Sequence, residues 1–400
     1  MYKQRSAGHR PNRPGVRHFG PNTRRGGNKA RKQFIDPSRF VKVAVPLQAG
    51  DYQPQNNFAD FAIQPLLKSN VTAMGYTAPS EIQDKTIPLG LSGKDVVGVA
   101  NTGTGKTAAF SLPILNKLML DPAATAIIIA PTRELALQID EQCRKLSKNS
   151  GLRSVILIGG KPMGPQLSAL RSRPRIIIGT PGRIKDHLQQ GTLDLSRTAS
   201  VVLDEVDRML DMGFINDVRF ILAKLPEQRQ SFFFSATVGP AIATLIQTFT
   251  HDPITVDVKA GETSDNVHQN VITYSGNIQR LDKLQTLLAD EAVKKTLVFG
   301  ETKYGVERLA RELQARGFKA DALHGGKSQG ARQRRLTDFR ENRTSILVAT
   351  DVAARGIDIV DITHVINFDL PNSYDDYTHR IGRAGRAGRT GYALTFVEAV

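Results

Sequence analysis

Short apolar runs rich in Ile, Val, Leu and Phe recur along the chain, with longer amphipathic stretches between them. In the first half they are Asp95 to Val99, Ala126 to Ala130, Val155 to Ile158, Ile176 to Ile178, Val201 to Leu203 and Ser231 to Phe234. Runs of this length without polar alternation predict strands buried on both faces, and the stretches between them predict covering helices. After a polar stretch from Lys259 to Asn266 the rhythm restarts with Val271 to Tyr274, Thr296 to Phe299, Ala320 to Leu323, Ile346 to Ala349, Val365 to Phe368 and Leu394 to Val397. The pattern predicts an α/β protein of two tandem domains with parallel sheets. A hinge over 259–266, carrying Gly261, Glu262, Thr263, Ser264 and Asp265, would join them.

Residues 1–50 do not share this rhythm. Between Met1 and Ile35 stand ten Lys or Arg and no Asp or Glu, out of a net charge of +16 for the 400-residue chain. Gly, Pro and Asn are frequent there, so 1–50 reads as a disordered basic tail. A flexible polycation binds phosphate backbones by counterion release, which points to RNA, ribosomal RNA included. A solubilising tail and an organellar transit peptide are the competing readings. No stretch approaches the roughly 18 apolar residues of a membrane span, no early apolar run resembles a signal peptide, and a cytoplasmic location is expected. The one cysteine, Cys143, sits in a helical pattern and is expected to be packed, not reactive.

Chemistry concentrates at three places. The run Asp95 to Val99 leads directly into Ala100-Asn101-Thr102-Gly103-Thr104-Gly105-Lys106-Thr107, and Ala108 to Leu118 looks helical. In a strand, loop and helix of this kind Gly103 and Gly105 let backbone amides face phosphates. Lys106 supplies a point charge, and the Thr107 hydroxyl is placed for Mg²⁺. The strict motif has Gly where this chain has Ala100. Val201 to Leu203 delivers Asp204-Glu205-Val206-Asp207, in which Asp204 would hold Mg²⁺, partly through water, and Glu205 would act on the attacking water. Alone, this tetrad would equally describe an acidic helix N-terminus. His379-Arg380-Ile381-Gly382-Arg383-Ala384-Gly385-Arg386 spaces Arg383 and Arg386 three apart, so both guanidinium groups can reach one phosphate; a basic surface helix is the plain alternative. With the loop in one domain and the arginines in the other, ATP would sit between them and its binding would close the cleft.

From Phe58 to Val397 these residues resemble the DEAD-box RNA helicases of superfamily 2, in which both domains are RecA-like. Phe58, seventeen residues before Gly75, with Tyr76, Pro79, Ile82 and Gln83, is similar to the family's Q motif. The resemblance implies that Phe58 and Gln83 bind the adenine side of ATP, Thr102 to Thr107 its phosphates, and Asp358 its ribose. It assigns catalysis to Lys106, Asp204, Glu205, Arg383 and Arg386. Coupling of hydrolysis to RNA falls to Asp207, Ser235, Ala236, Thr237 and His379. RNA contacts fall to Pro131, Thr132, Arg133, Gly159, Gly160, Thr180 and Arg183 in the first domain, and to Thr302, Gln329, Arg332 and Thr350 in the second. On this basis residues 56–84 form a Q-motif region, 85–258 the ATP-binding domain, 259–266 the hinge and 267–400 the C-terminal helicase domain.

The resemblance implies an RNA-stimulated ATPase that takes ATP and Mg²⁺, acts as a monomer and grips RNA by its backbone without reading sequence. The absence of Trp and the 6% aromatic content agree, since they leave no long base-stacking platform. A DNA helicase or remodeller on the same two lobes, and an ATP-gated RNA clamp or annealing scaffold, are the alternatives. Two departures stand out. Val206 replaces the family's Ala, where a β-branched residue would suit a strand end. The chain also stops at Val400, where the family adds a closing helix, so the strand Leu394 to Val397 is expected to expose apolar surface.

Overall fold

The computed structural model describes residues 35–44, 52–101, 103–258, 266–354, 359, 361–385 and 389–399. The first lobe is a seven-stranded parallel sheet of β1 (Val96–Val99), β2 (Thr125–Ile129), β3 (Ser154–Leu157), β4 (Ile176–Gly179), β5 (Thr198–Asp204), β6 (Gln230–Ser235) and β7 (Ile254–Asp257). Their order is β3-β4-β2-β5-β6-β1-β7. The second lobe is a six-stranded parallel sheet of β8 (Val267–Tyr274), β9 (Thr296–Phe299), β10 (Ala320–Leu323), β11 (Ile346–Ala349), β12 (His364–Asn367) and β13 (Gly391–Glu398), in the order β10-β11-β9-β12-β13-β8.

The central strands β4, β6, β9, β11 and β12 are buried along their whole length, as the unalternating runs require. In the first lobe Ala126, Ile128, Val202, Phe232 and Phe234 enter one apolar cluster. Their neighbours Ile127, Ile129, Val201, Leu203 and Phe233 enter the opposite one. Successive side chains point to opposite faces, so a strand packed on both sides has no polar position. β7 escaped the sequence pattern because it is an edge strand with only Val256 buried. The start of β8 escaped for the same reason, its His268, Gln269 and Asn270 being polar.

Phe58, Phe61, Ile63, Leu67, Val71 and Ile82 join the first lobe's core, so the Q-motif region is built into that lobe. Residues 259–265 of the expected hinge lie outside the described residues, as do residues 1–34 and 45–51 of the expected tail. Residues 35–44 correct that expectation. A short 3₁₀ turn, Pro37–Phe40, buries Phe40 on the second lobe against Val267, Tyr377, Ile381 and Ala393. One buried aromatic in a polar stretch carries no periodicity, which is why the composition misled. The final strand β13 lies inside the sheet between β12 and β8, with Ala393, Thr395 and Phe396 buried, Leu394 and Val397 half-buried and Tyr392 exposed. Among the described residues no helix is long and apolar enough to cross a membrane.

Candidate nucleotide cleft and nucleic-acid interface

The carboxyl ends of β5, β6 and β1 lie side by side in the first lobe, with Val99 in register with Ser235 and Asp204 with Phe234. The phosphate loop leaves β1 with Gly103 and Gly105 at φ 87° and 94°, a left-handed backbone that Gly adopts without strain. The Lys106 ammonium is buried and donates to the Ala100 carbonyl at 2.9 Å, and Thr107 lies in the first turn of the helix Lys106–Leu120. Gln83 ties the Q-motif region to this loop. Its Nε2 donates to the Gly105 carbonyl at 3.1 Å while Oε1 accepts from the Ser80 amide at 3.0 Å. A β-carbon on Gly105 would collide with the Gln83 amide, which fixes Gly there twice over. Phe58 is buried edge-on to Tyr76 and Phe61, a core position beside the site. Thr102, Asp358 and Arg386 lie outside the described residues.

Glu205 follows β5 at φ 57°, ψ 56°, a left-handed conformation that costs a non-glycine residue of order 1 kcal/mol and is retained where the surroundings impose it. The neighbouring carboxyls diverge. Burial pushes Asp204 up to about 6; Lys106 opposes the rise and Glu205 adds to it. Burial also pushes Glu205 up, but Arg208, Lys106, Arg383 and His379 together outweigh it and hold the carboxyl below its ordinary value. Arg208 contributes most among these, its guanidinium donating to Glu205 Oε2 at 2.8 Å with both side chains buried. Asp204 Oδ1 is buried without a hydrogen-bond partner. A raised, orphaned carboxylate suits Mg²⁺, which takes few protein ligands beside substrate phosphates. Among the described residues no cluster of three or more His, Cys, Asp or Glu offers a fuller metal cage.

Val206 does not end the strand as expected. It opens the helix Val206–Asp211 and turns into the apolar cluster on the far face of the sheet. Its bulk therefore leaves Asp207 undisturbed: Asp207 Oδ2 accepts from the Ala236 amide at 3.0 Å, and its own amide donates to Ser235 Oγ at 3.2 Å. Ser235 Oγ donates onward to the Thr237 carbonyl at 2.7 Å. Tetrad and Ser-Ala-Thr segment are thus one hydrogen-bonded unit.

The second lobe meets this unit. The helix Tyr374–Ile381 brings His379 to the tetrad, where burial and then Arg208 push the imidazole below its ordinary value while Asp207 opposes them. Arg383 follows that helix, is buried, and lowers Glu205. Arg380, between them, is held by Asp351 at 2.6 and 2.8 Å within its own lobe.

A separate cleft of about 400 Å³ opens between the lobes. Pro131, Thr132, Arg133, Gly159, Thr180 and Arg183 line it from the first lobe and Arg332 from the second. Gly160, at φ 74°, abuts the Arg133 guanidinium so closely that a β-carbon would displace it. Burial lowers Arg133 below its ordinary value, and Arg332 and Arg183 lower it further against the pull of Glu134. Arg133 and Arg183 thus present positive charge to the cleft, a place for an anion, while Arg332 is paired with Glu134. Gln329 accepts from Arg133 at 3.4 Å, across the lobes. Thr302 and Thr350 stand apart from the lining: Thr302 caps the helix Lys303–Ala315, and the Thr350 amide donates to the Leu323 carbonyl. The sequence assigned no role to Glu134, Arg208 or Lys327, of which Glu134 and Lys327 line the cleft.

Two parallel α/β lobes that share one phosphate site and one basic cleft define a nucleotide-driven machine of the two-lobed helicase class. Residues 80–245 match the DEAD/DEAH box helicase model and residues 279–388 the helicase conserved C-terminal domain. The chain is 44% identical over 342 residues to the ATP-dependent RNA helicase CshA of Listeria monocytogenes, covering 85% of this chain and 66% of that protein. The DEAD-box ATP-dependent RNA helicase CshA of Bacillus subtilis is equally 44% identical, with 85% and 69% covered. The chain thus spans about two thirds of the length of these curated relatives. Among solved structures, S. cerevisiae Dbp5 bound to RNA and ADP BeF3 superposes with a TM-score of 0.74 at 30% identity, covering 86% of this chain and 90% of that one. A DEAD box protein from the hyperthermophile Methanococcus jannaschii gives 0.51 at 37% identity, covering 86% and 93%. The chain belongs to the DEAD-box ATP-dependent RNA helicases.

Proposed function

We propose that the protein hydrolyses ATP in the cleft between its lobes, that RNA in the basic cleft stimulates the reaction, and that the cycle separates short duplexes or remodels RNA–protein complexes. The observation that carries this is the meeting of Arg383 and His379 with Glu205 and Asp207, which splits one reaction centre between two bodies. Lys106 and Arg383 flank the place of the γ-phosphate from opposite lobes, so closure assembles the charge that the transition state needs. Glu205, kept ionised by Arg208, orients the attacking water and accepts its proton. Thr107 and Asp204 would hold Mg²⁺, in part through water; when bound it offsets the charge of the triphosphate. Gln83 links the adenine side to the phosphate loop.

Arg133 and Arg183, with backbone and hydroxyl groups of Thr132 and Thr180, fit phosphates and 2′-hydroxyls, giving a grip that ignores sequence. Asp207, Ser235 and Ala236 transmit closure to that cleft. The likeness to Dbp5 bound to RNA and ADP BeF3 supports the closed arrangement. The basic tail adds RNA contacts, and the protein works as a cytoplasmic monomer, where buried Cys143, its thiol pushed up to about 12 by burial, stays reduced and inert.

Hydrolysis measured with and without RNA, for the wild type and Glu205→Gln, tests this. RNA should raise wild-type turnover, and the variant should bind ATP and RNA but turn over at least about a hundredfold more slowly. No stimulation by RNA, or full turnover in the variant, defeats the mechanism. Stronger stimulation by DNA would favour a DNA helicase, and wild-type RNA retention without turnover an ATP-gated clamp.

A further inference from the structure

Residues 35–44 precede the first lobe in sequence and pack on the second. Phe40 and Ala44 are buried and Lys42 is half-buried, while Val41 and Val43 are exposed. That alternation marks an extended segment with one face turned inward. Lys42 forms an antiparallel bridge to Gln269 on the edge strand β8, its amide donating at 3.0 Å and its carbonyl accepting at 2.8 Å. The Ala44 amide donates to His268 Nδ1 at 3.2 Å. Phe40 packs 4.7 Å from the Tyr377 ring, the Arg39 guanidinium lies 3.8 Å over the Tyr374 ring, and the Tyr377 hydroxyl donates to Gln269 Oε1 at 2.9 Å.

We infer that residues 35–44 are an intramolecular strap that seats the helix Tyr374–Ile381, and that Phe40 is thereby a positioning residue for Arg383 in ATP turnover. Tyr374, Tyr377 and Ile381 fall at helical spacing on one face of that helix, and this face carries the strap. His379 lies on the opposite face, and Arg383 continues that side beyond the helix end. The helix is thus backed by Phe40 on one side and delivers its charged groups to Glu205 on the other. A void behind it would let it withdraw from the first lobe, and closely packed elements transmit such a shift.

The strap also connects the lobes a second time. Residues 52–56 are fixed to the first lobe at Asp84, which accepts from the Tyr52 hydroxyl at 2.5 Å and the Gln55 amide at 2.7 Å. Asp84 adjoins Gln83, the residue tied to the phosphate loop. Between Ala44 and Tyr52 the chain can reach at most about 28 Å. Separation beyond that reach would pull the strap from the helix Tyr374–Ile381.

This inference rests on the ATPase function proposed above, and its test uses the full chain with saturating RNA. Phe40→Ala and a deletion of residues 1–44 should lower kcat about tenfold with a smaller change in KM for ATP, because a transition-state group is misplaced. Phe40→Leu should restore most of the loss, and Val43→Ser, at an exposed position of the same strap, should leave kcat unchanged. If Phe40→Ala does not fold, Lys42→Pro removes the donor to Gln269 without opening a core cavity and should show the same loss. Wild-type kcat in Phe40→Ala and the 1–44 deletion, or in Lys42→Pro where Phe40→Ala does not fold, overturns the strap's role. So does a kcat loss that only follows the unfolded fraction in thermal melts. Hydrogen exchange over residues 374–383 reads the seating independently of turnover. If the wild type shows no RNA-stimulated hydrolysis, the ATPase function fails. Faster exchange in Lys42→Pro would then still support the strap, and unchanged exchange would overturn it.

Discussion

Arg332 of the second lobe is locked to Glu134 of the first, Nε and NH2 reaching the same carboxylate oxygen at 2.8 and 2.7 Å, with both side chains buried. The pair is built only when the lobes meet, so it reports closure. It also changes the role expected of Arg332: the guanidinium borders the RNA cleft but is engaged by protein.

Breaking this pair should shift the open–closed balance more than it unfolds either lobe. Removing one partner strands a buried charge, a cost of about 3–5 kcal/mol that the open state escapes by exposing the group to water. Glu134→Ala is therefore expected to raise the RNA concentration needed for half-maximal ATPase stimulation by at least tenfold, with little change in melting temperature. A double-mutant cycle with Arg332→Ala should give a coupling of about 1–3 kcal/mol. Additive effects would show that the two residues act separately.

Asp204 makes a prediction with a definite sign. Its carboxyl stands at about 6 against an ordinary 3.8, raised first by burial. Between those values the folded protein binds the proton more tightly than the unfolded chain, so stability falls as pH rises through the window. The penalty is absent below about pH 4 and complete above about pH 6, where it amounts to roughly 2–3 kcal/mol. Without nucleotide, Asp204→Asn should melt above the wild type at pH 7.5, with the gap closing as pH falls towards 4, and should lack ATPase. Mg²⁺ with a non-hydrolysable ATP analogue should stabilise the wild type more than the variant. A variant that melts lower at pH 7.5 would contradict the assignment.

Val206 is buried and packs against the far-face core while Asp207 keeps its bonds to Ser235 and Ala236. Restoring the family's residue with Val206→Ala should therefore cost stability and spare chemistry. Two methyl groups and the small void they leave are worth about 1.5–3 kcal/mol, and kcat should stay within about twofold of wild type. A large change in kcat, or in the ratio of ATPase to unwinding, would mean that Val206 tunes the coupling segment after all.

What could be read from the chain follows from how local each requirement is. The phosphate loop, the tetrad and the strands beneath them were legible because the chemistry fixes residue types at close spacing, and burial on both faces forbids polar positions. The bond between Glu134 and Arg332 joins residues 198 positions apart, and no local pattern foretells it. Nothing local distinguishes Arg208 from a surface charge on a helix; its burial beside Glu205 is what gives it a role. β7 was missed because an edge strand needs only one inward residue. Phe40 was hidden because the polar tail around it dominates the composition of residues 1–50.

The tail itself supports a last prediction from charge alone. The ten Lys and Arg between Met1 and Ile35 all precede Gln33, so deleting residues 1–34 removes every one of them while keeping Ile35 and the strap. Each phosphate contact by a cation contributes about 0.7 to the slope of log affinity against log salt on single strands. If even half of the ten engage RNA, the slope should become shallower by about 3, and affinity near 0.05 M salt should fall far more than affinity near 0.3 M. Basal ATPase without RNA should not change, since the phosphate loop, tetrad and Arg383 all lie in the lobes. Equal slopes for the two proteins would return the tail to a solubilising role and leave the cleft at Arg133 and Arg183 as the whole of the RNA grip.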